Sequence, residues 1–258
     1  MTRRTDPRHP APQLPAAVLT TAWQSASLLL GYPDERLPGL LAPIRAALPT
    51  LPPTLRDPLA EVADHLEHTP LPELQVDYVE TFDQRRRCNL YLTYFLHGDT
   101  RKRGLALLRF KQTYLRSGFV LGATPAEGEE LPDHLCVVLE YAATVDQALG
   151  WRLLLDHRAG VELLRMSLRE SGSRWAGAVA AVCATLPPLK GDDRDLVARL
   201  AAEGPPAEEV GLTPYGTPAF DARLENSVEV AGVSRLAGAR TSTTGVSAGS
   251  TTGVGGTL

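Results

Sequence analysis

From Val18 onward, apolar residues return every three or four positions, the spacing of a helix that buries one face. Val18, Leu19, Ala22, Trp23, Ala26, Leu29 and Leu30 make the first stripe, stopped by Gly31 with Pro33 behind it. A second stripe, Leu37, Leu41, Ile44 and Leu48, ends in Pro49, Pro52 and Pro53. Leu55, Leu59, Val62 and Leu66 repeat the pattern, as do Leu71, Leu74, Tyr78 and Phe82. The spacing predicts further helices over 90–95, 100–117, 132–146, 149–169 and 175–186, with a short last one at 195–202. No segment reads as a strand. The fold predicted is all-α, a single compact multi-helix domain over residues 16–204, and no fixed-period repeat suggests a solenoid.

The two ends break the pattern. Residues 1–15 are polar and proline-rich and read as a disordered leader; Arg3-Arg4 is followed by no apolar stretch of an export signal. Residues 205–233 read either as a linker or as a docking arm. From Ser234 the chain contains six Gly, six Thr and four Ser and no aromatic residue, so 234–258 is read as a disordered tail. The longest apolar stretches are far short of the roughly 20 residues a spanning helix needs, so no membrane insertion is expected. Cys88, Cys136 and Cys183 lie far apart with no Cys-x-x-Cys, which fits small buried side chains in a reducing, cytoplasmic setting.

Net charge is only −4, yet the signs segregate. Residues 56–83 hold eight acids against Arg56, 84–116 hold nine bases against Asp99, and 127–146 hold six acids and no base. Either these blocks pair across neighbouring helices, or one of them faces a charged partner. The same alternative applies locally at Arg101, Lys102 and Arg103. They fall in the first turn of a helix capped by Asp99 or Thr100, where cations oppose the helix dipole.

Catalytic patterns are missing: there is no Gly-x-Ser-x-Gly, phosphate loop, dinucleotide fingerprint or His-Glu-x-x-His. His65 and His68 beside Asp64 have a spacing a metal tolerates, but acids on a solvated face explain them better, and no metal or cofactor is assigned. Pro132 at a first helical position with Asp133 behind it reads as a helix start. Its alternative reading is an exposed corner at which Glu130, Asp133 and His134 accept hydrogen bonds from a basic peptide. Tyr78 and Phe82, four apart, read as core or as the lining of a groove for a partner helix.

Three stretches in this order, Tyr78-Val-Glu-Thr-Phe-Asp83, His97-Gly-Asp-Thr-Arg-Lys-Arg-Gly104 and Glu130-Leu-Pro-Asp-His134, resemble the NarJ family. These are assembly chaperones of respiratory nitrate reductase, related to the TorD and DmsD chaperones of other molybdoenzymes. The likeness runs from about Thr21 to Leu186 and includes Leu28-Leu-Leu-Gly-Tyr-Pro33. The resemblance implies a helical domain without catalysis of its own. It would bind the apo catalytic α subunit, through an N-terminal peptide and a second region, until the molybdenum cofactor is inserted, and would allow membrane docking only afterwards. It further implies Tyr78, Phe82, Asp83, His97, Asp99, Arg103, Glu130, Asp133 and His134 as client-binding positions. Competing readings are a chaperone of a dimethyl sulfoxide or trimethylamine oxide reductase, a nucleic-acid module using the basic block, and a helical enzyme using His97, Asp133 and His134. An acidic total and no recognition-helix motif argue against nucleic acid.

Overall fold

A computed structural model describes residues 10–121 and 131–204, all within one compact unit. Glu130, residues 1–9 of the leader, and the linker-or-arm and tail segments 205–258 lie outside the described residues. Among those described there are eleven α-helices and no strand. They are α1 Ala16–Leu29, α2 Leu37–Ala47, α3 Pro53–His68, α4 Leu71–Tyr78, α5 Tyr94–His97 and α6 Arg101–Arg116. After residue 130 follow α7 Leu135–Thr144, α8 Gln147–Asp156, α9 Arg158–Glu170, α10 Ala176–Thr185 and α11 Asp192–Glu203. The expected all-α class is what the chain adopts.

Helix α1 sits at the centre, packed on α7, α10 and α3, because its stripe from Leu19 to Leu30 has no exposed member among Leu19, Ala22, Trp23, Ala26, Leu29 and Leu30. Polar groups that enter this core are paired, as burial demands. Trp23 Nε1 donates to Thr185 Oγ1 at 3.0 Å, and Ser27 Oγ donates to the Cys136 carbonyl at 2.8 Å. Helix α10 lies so close to α3 that a Cβ on Gly177 would stand 2.3 Å from the Pro58 carbonyl oxygen. Only a hydrogen side chain permits that approach. The leader is tied as far back as Pro10, whose carbonyl accepts a 2.8 Å bond from Trp151 Nε1, so its last residues are placed rather than loose.

Four predicted elements differ. The helix expected over 90–95 begins only at Tyr94, because the backbone of Leu90 and Leu92 bonds across to Leu135 and Asp133 instead. The run Leu71–Phe82 is not one helix: after α4 the chain makes a wider π turn over Val79–Asp83, closed by Gln84 N–H on the Val79 carbonyl at 3.1 Å. The run 149–169 breaks at His157, whose Nδ1 bonds the Leu153 carbonyl at 2.8 Å and so competes for the acceptor that a continuous helix would use. Helix α7 begins at Leu135, not at Pro132. Pro132 and Asp133 form a turn, and His134 makes an isolated antiparallel bridge with Tyr91.

Candidate functional site

That bridge ties the Glu130–His134 stretch to residues 90–92, and the Arg103 side chain of the His97–Gly104 stretch joins them there. Leu92 N–H donates to the Asp133 carbonyl at 3.0 Å, and Leu135 N–H to the Leu90 carbonyl at 2.8 Å. The Asp133 side chain then turns inward and is wholly buried. Its Oδ2 accepts from the Thr93 N–H at 3.1 Å and from Thr93 Oγ1 at 2.6 Å, and lies 3.9 Å from Arg103 Nη2. A buried carboxylate needs such donors, since an isolated one is strongly penalised.

Arg103 is the second centre of the site. Its Nη1 bonds Asp99 Oδ1 at 2.8 Å, one helical turn away, and its Nε approaches Thr93 Oγ1 at 3.3 Å. The guanidinium lies 5.3 Å from the ring centre of Tyr91 and 5.8 Å from that of Tyr94, close enough for cation–π attraction. Arg86 Nε donates to the Tyr94 hydroxyl at 2.9 Å, and Tyr114 donates to the Pro132 carbonyl at 2.6 Å. Cations in the first turn of α6 are thus treated unequally. Arg103 is compensated by Asp99, Asp133 and two rings, whereas Arg101 and Lys102 are exposed. Asp99 does not cap α6. Thr100 occupies the cap position, but its hydroxyl donates back to the His97 carbonyl at 2.8 Å.

His134 stands beside this network with its ring edge-on to Tyr91 at 5.3 Å. Burial disfavours its imidazolium and lowers its pKa to about 4, the Asp133 carboxylate opposing the shift. Burial also lowers the His97 pKa, helped by the Arg109 and Lys102 charges. Neither His65 nor His68 shares a ligand sphere: His68 Nδ1 bonds the Asp64 carbonyl at 2.8 Å, and His65 Nε2 is 3.8 Å from Asp77 Oδ2.

The third motif stretch lies elsewhere in the core. Tyr78 and Phe82 pack against each other at 4.7 Å with their rings tilted by 52°, and both meet the Trp175 ring edge-on at 5.7 Å. Tyr78 also donates to the Leu30 carbonyl at 3.0 Å. Both rings are buried, 6% and 3% exposed. The exposed members of the predicted set are Asp83 and Asp99; His97, Arg103 and His134 are half-buried; Asp133 is internal and so cannot be the surface acceptor of a helix start. Among the described residues the charge blocks pair at a single contact. Asp64 and Glu67 bond Arg45 at 2.6 and 2.5 Å, while Arg103 with Asp133 is the one pair between the basic block and the second acidic block among the described residues.

Sequence reading missed Thr93, the hinge of the network, since nothing in its neighbourhood signals a partner forty residues on. It also missed a small, partly open groove of about 40 Å³ lined by Arg87, Phe95, Leu163, Met166, Ser167, Glu170, Leu200 and Ala201. Helices α5, α9 and α11 form its walls, and Arg87 and Glu170 put opposite charges on its margin. Its lining is mainly apolar, which suits side chains of a peptide better than a charged metabolite.

Part of this chain is similar in sequence to known proteins. A family model described as the nitrate reductase delta subunit matches residues 48–181. The nitrate reductase-like protein NarX of Mycobacterium tuberculosis is 43% identical over 163 residues, covering 63% of this chain and 24% of that protein. The chain therefore spans about a quarter of that relative's length. The probable nitrate reductase molybdenum cofactor assembly chaperone NarJ of Bacillus subtilis is 33% identical over 172 residues, 64% of this chain and 87% of that one. Among solved structures, a putative redox enzyme maturation protein from Archaeoglobus fulgidus aligns with a TM-score of 0.48 at 25% identity, over 64% of this chain and 91% of that one.

Proposed function

Because this chain belongs to the nitrate reductase delta subunit family, we propose that it is an assembly chaperone for the catalytic α subunit of a respiratory nitrate reductase. It binds the apo subunit, keeps it open to molybdenum cofactor insertion, delays membrane docking until that step is complete, and acts in the cytoplasm without catalysing a reaction. The observation that carries this reading is the 33% identity to an assembly chaperone along 87% of that protein's length. No helix among the described residues is long and apolar enough to cross a membrane, which suits a factor that meets its client before the membrane does.

Exposure and burial support a division of roles among the client-binding residues that are described. Asp83 and Asp99, with Glu130, contact the client's basic N-terminal peptide. His97, Arg103 and His134 border that contact. Asp133, Tyr78 and Phe82 support it from within, holding the 91–94 segment and the end of α4 in place. Apolar side chains of the same peptide occupy the groove of Phe95, Leu163 and Met166, each anchor contributing roughly 1.5–3 kcal/mol on burial. A chaperone that prefers the open apo client shifts that client's population, and insertion of the cofactor removes the preference.

Co-purification with the catalytic subunit before and after cofactor loading tests this. Recovery from the cofactor-free subunit and loss from the loaded one is expected; equal recovery from both removes the mechanism.

A further inference from the structure

Helix α6 shows two faces that its inward packing does not require. The buried and half-buried residues all lie on one edge: Ala106, Phe110 and Tyr114 are buried, and Arg103, Leu107 and Thr113 half-buried. The other ten residues are all exposed. Down the middle of that outward side run Arg101, Leu105, Leu108, Gln112 and Leu115 at steps of four, three, four and three. Those are the a and d positions of a heptad, the pattern of a helix–helix seam. Leu105, Leu108 and Leu115 are 66%, 50% and 61% exposed, large values for leucines aligned on one stripe.

The flanks of the seam carry the second observation. In the same heptad the e and g positions are Lys102, Gly104, Arg109, Lys111 and Arg116, so four of the five are cations. The helix contains six bases and no acid, and none of Arg101, Lys102, Arg109 and Arg116 pairs with a carboxylate of the described residues. In a coiled coil these positions set partner choice by charge.

We propose that the outward face of α6 is a docking seam for an amphipathic helix of a partner protein that carries apolar residues at a and d and carboxylates at e and g. A second copy of this chain does not fit, because two such faces oppose cation to cation at most flanking positions. Acid at both e and g satisfies α6 in either helix direction, so charge selects the partner without fixing its orientation. Gln112 at an a position favours a polar residue opposite and thereby a single register. Alone, a segment of this length is marginal as a helix, but the fold holds α6 already formed, and only the partner has to be ordered. The seam lies apart from the groove and does not depend on which enzyme is the client.

The test uses the full chain and two labelled synthetic peptides of about three heptads, with leucine at a and d. One carries Glu at e and g, the other Lys. Fluorescence anisotropy is expected to show the Glu peptide binding at least about tenfold tighter than the Lys peptide, the gap narrowing at high salt. The double charge reversal R109E/R116E is expected to narrow or invert that preference, and L105S/L108S/L115S to weaken the Glu peptide at least about tenfold. Both variants alter only exposed residues, so an unchanged melting temperature shows that the fold is intact. Equal binding of the two peptides, no saturable binding, or indifference to the serine substitutions overturns the proposal. So does leucine-dependent sedimentation with anionic phosphatidylserine vesicles in the absence of Glu-peptide binding, or dimerisation of the chain lost in the serine variant.

Discussion

Replacing Asp133 with alanine removes an acceptor that three groups were arranged around. The carboxylate is wholly buried and accepts two hydrogen bonds from Thr93, at 3.1 and 2.6 Å, with Arg103 Nη2 at 3.9 Å. A hydrogen bond to a charged group contributes roughly 1.5–3 kcal/mol, and removing one partner of a buried charged cluster typically costs about 3–5 kcal/mol. Arg103 keeps Asp99 and its two tyrosines, so the lower part of that range is expected, about 3–4 kcal/mol. Asparagine preserves the shape and one acceptor oxygen but loses the charge, for about 1–2 kcal/mol. With a urea m-value of about 2 kcal/mol/M, the alanine variant unfolds at a midpoint about 1.5–2 M lower and the asparagine variant about 0.5–1 M lower. Thr93→Val combined with Asp133→Asn should lose less than the sum of the two single changes, because both cut the same contact. Midpoint shifts below about 0.3 M for Asp133→Ala, or strict additivity in the double variant, would refute the view that this carboxylate organises the motif.

Acid should destabilise the fold in a defined window. The His134 pKa of about 4 against an ordinary 6.5 means that its neutral ring belongs to the folded state. The stability it carries is full above about pH 6.5 and disappears as pH falls from there toward 4. Burial lowers His65, His97 and His157 in the same direction, so a urea midpoint that is flat between pH 7 and 5 would contradict the reading. Gly177→Ala should cost at least about 1–3 kcal/mol, since the new methyl meets backbone oxygen of α3 that cannot rotate away; thermal melting measures it. All three cysteines are buried, and burial raises the Cys183 thiol to about 12, so a maleimide probe should label none of them in buffer and all of them in urea. Binding of a basic client peptide should weaken as salt rises, and salt-independent affinity would remove the role given to Asp83 and Asp99.

Helices were legible wherever one apolar face decided the matter. The stripes at Leu19–Leu30 and Leu55–Leu66 read directly as α1 and α3, because periodicity reports burial. Breaks without Gly or Pro were not legible: the π turn after Tyr78 and the interruption at His157 depend on a carbonyl choosing another donor, which apolar spacing does not record. The motif residues were located but their roles were only half visible. That Tyr78 and Phe82 share a face was readable; that Trp175, nearly a hundred residues on, closes over them was not. Asp133 looked like the start of a helix because Pro and an acid usually mark one. Its inward turn follows from the bridge between Tyr91 and His134, a contact between distant segments.

A rod held along a single edge works as a handle. Phe110, Tyr114 and the Arg103 guanidinium fasten α6 to the body, and that guanidinium reaches the Asp133 cluster. Any load applied to the free side of the rod is therefore carried inward along that edge, and through Arg103 and Tyr114 it reaches Asp133 and Pro132, where two of the family motifs meet.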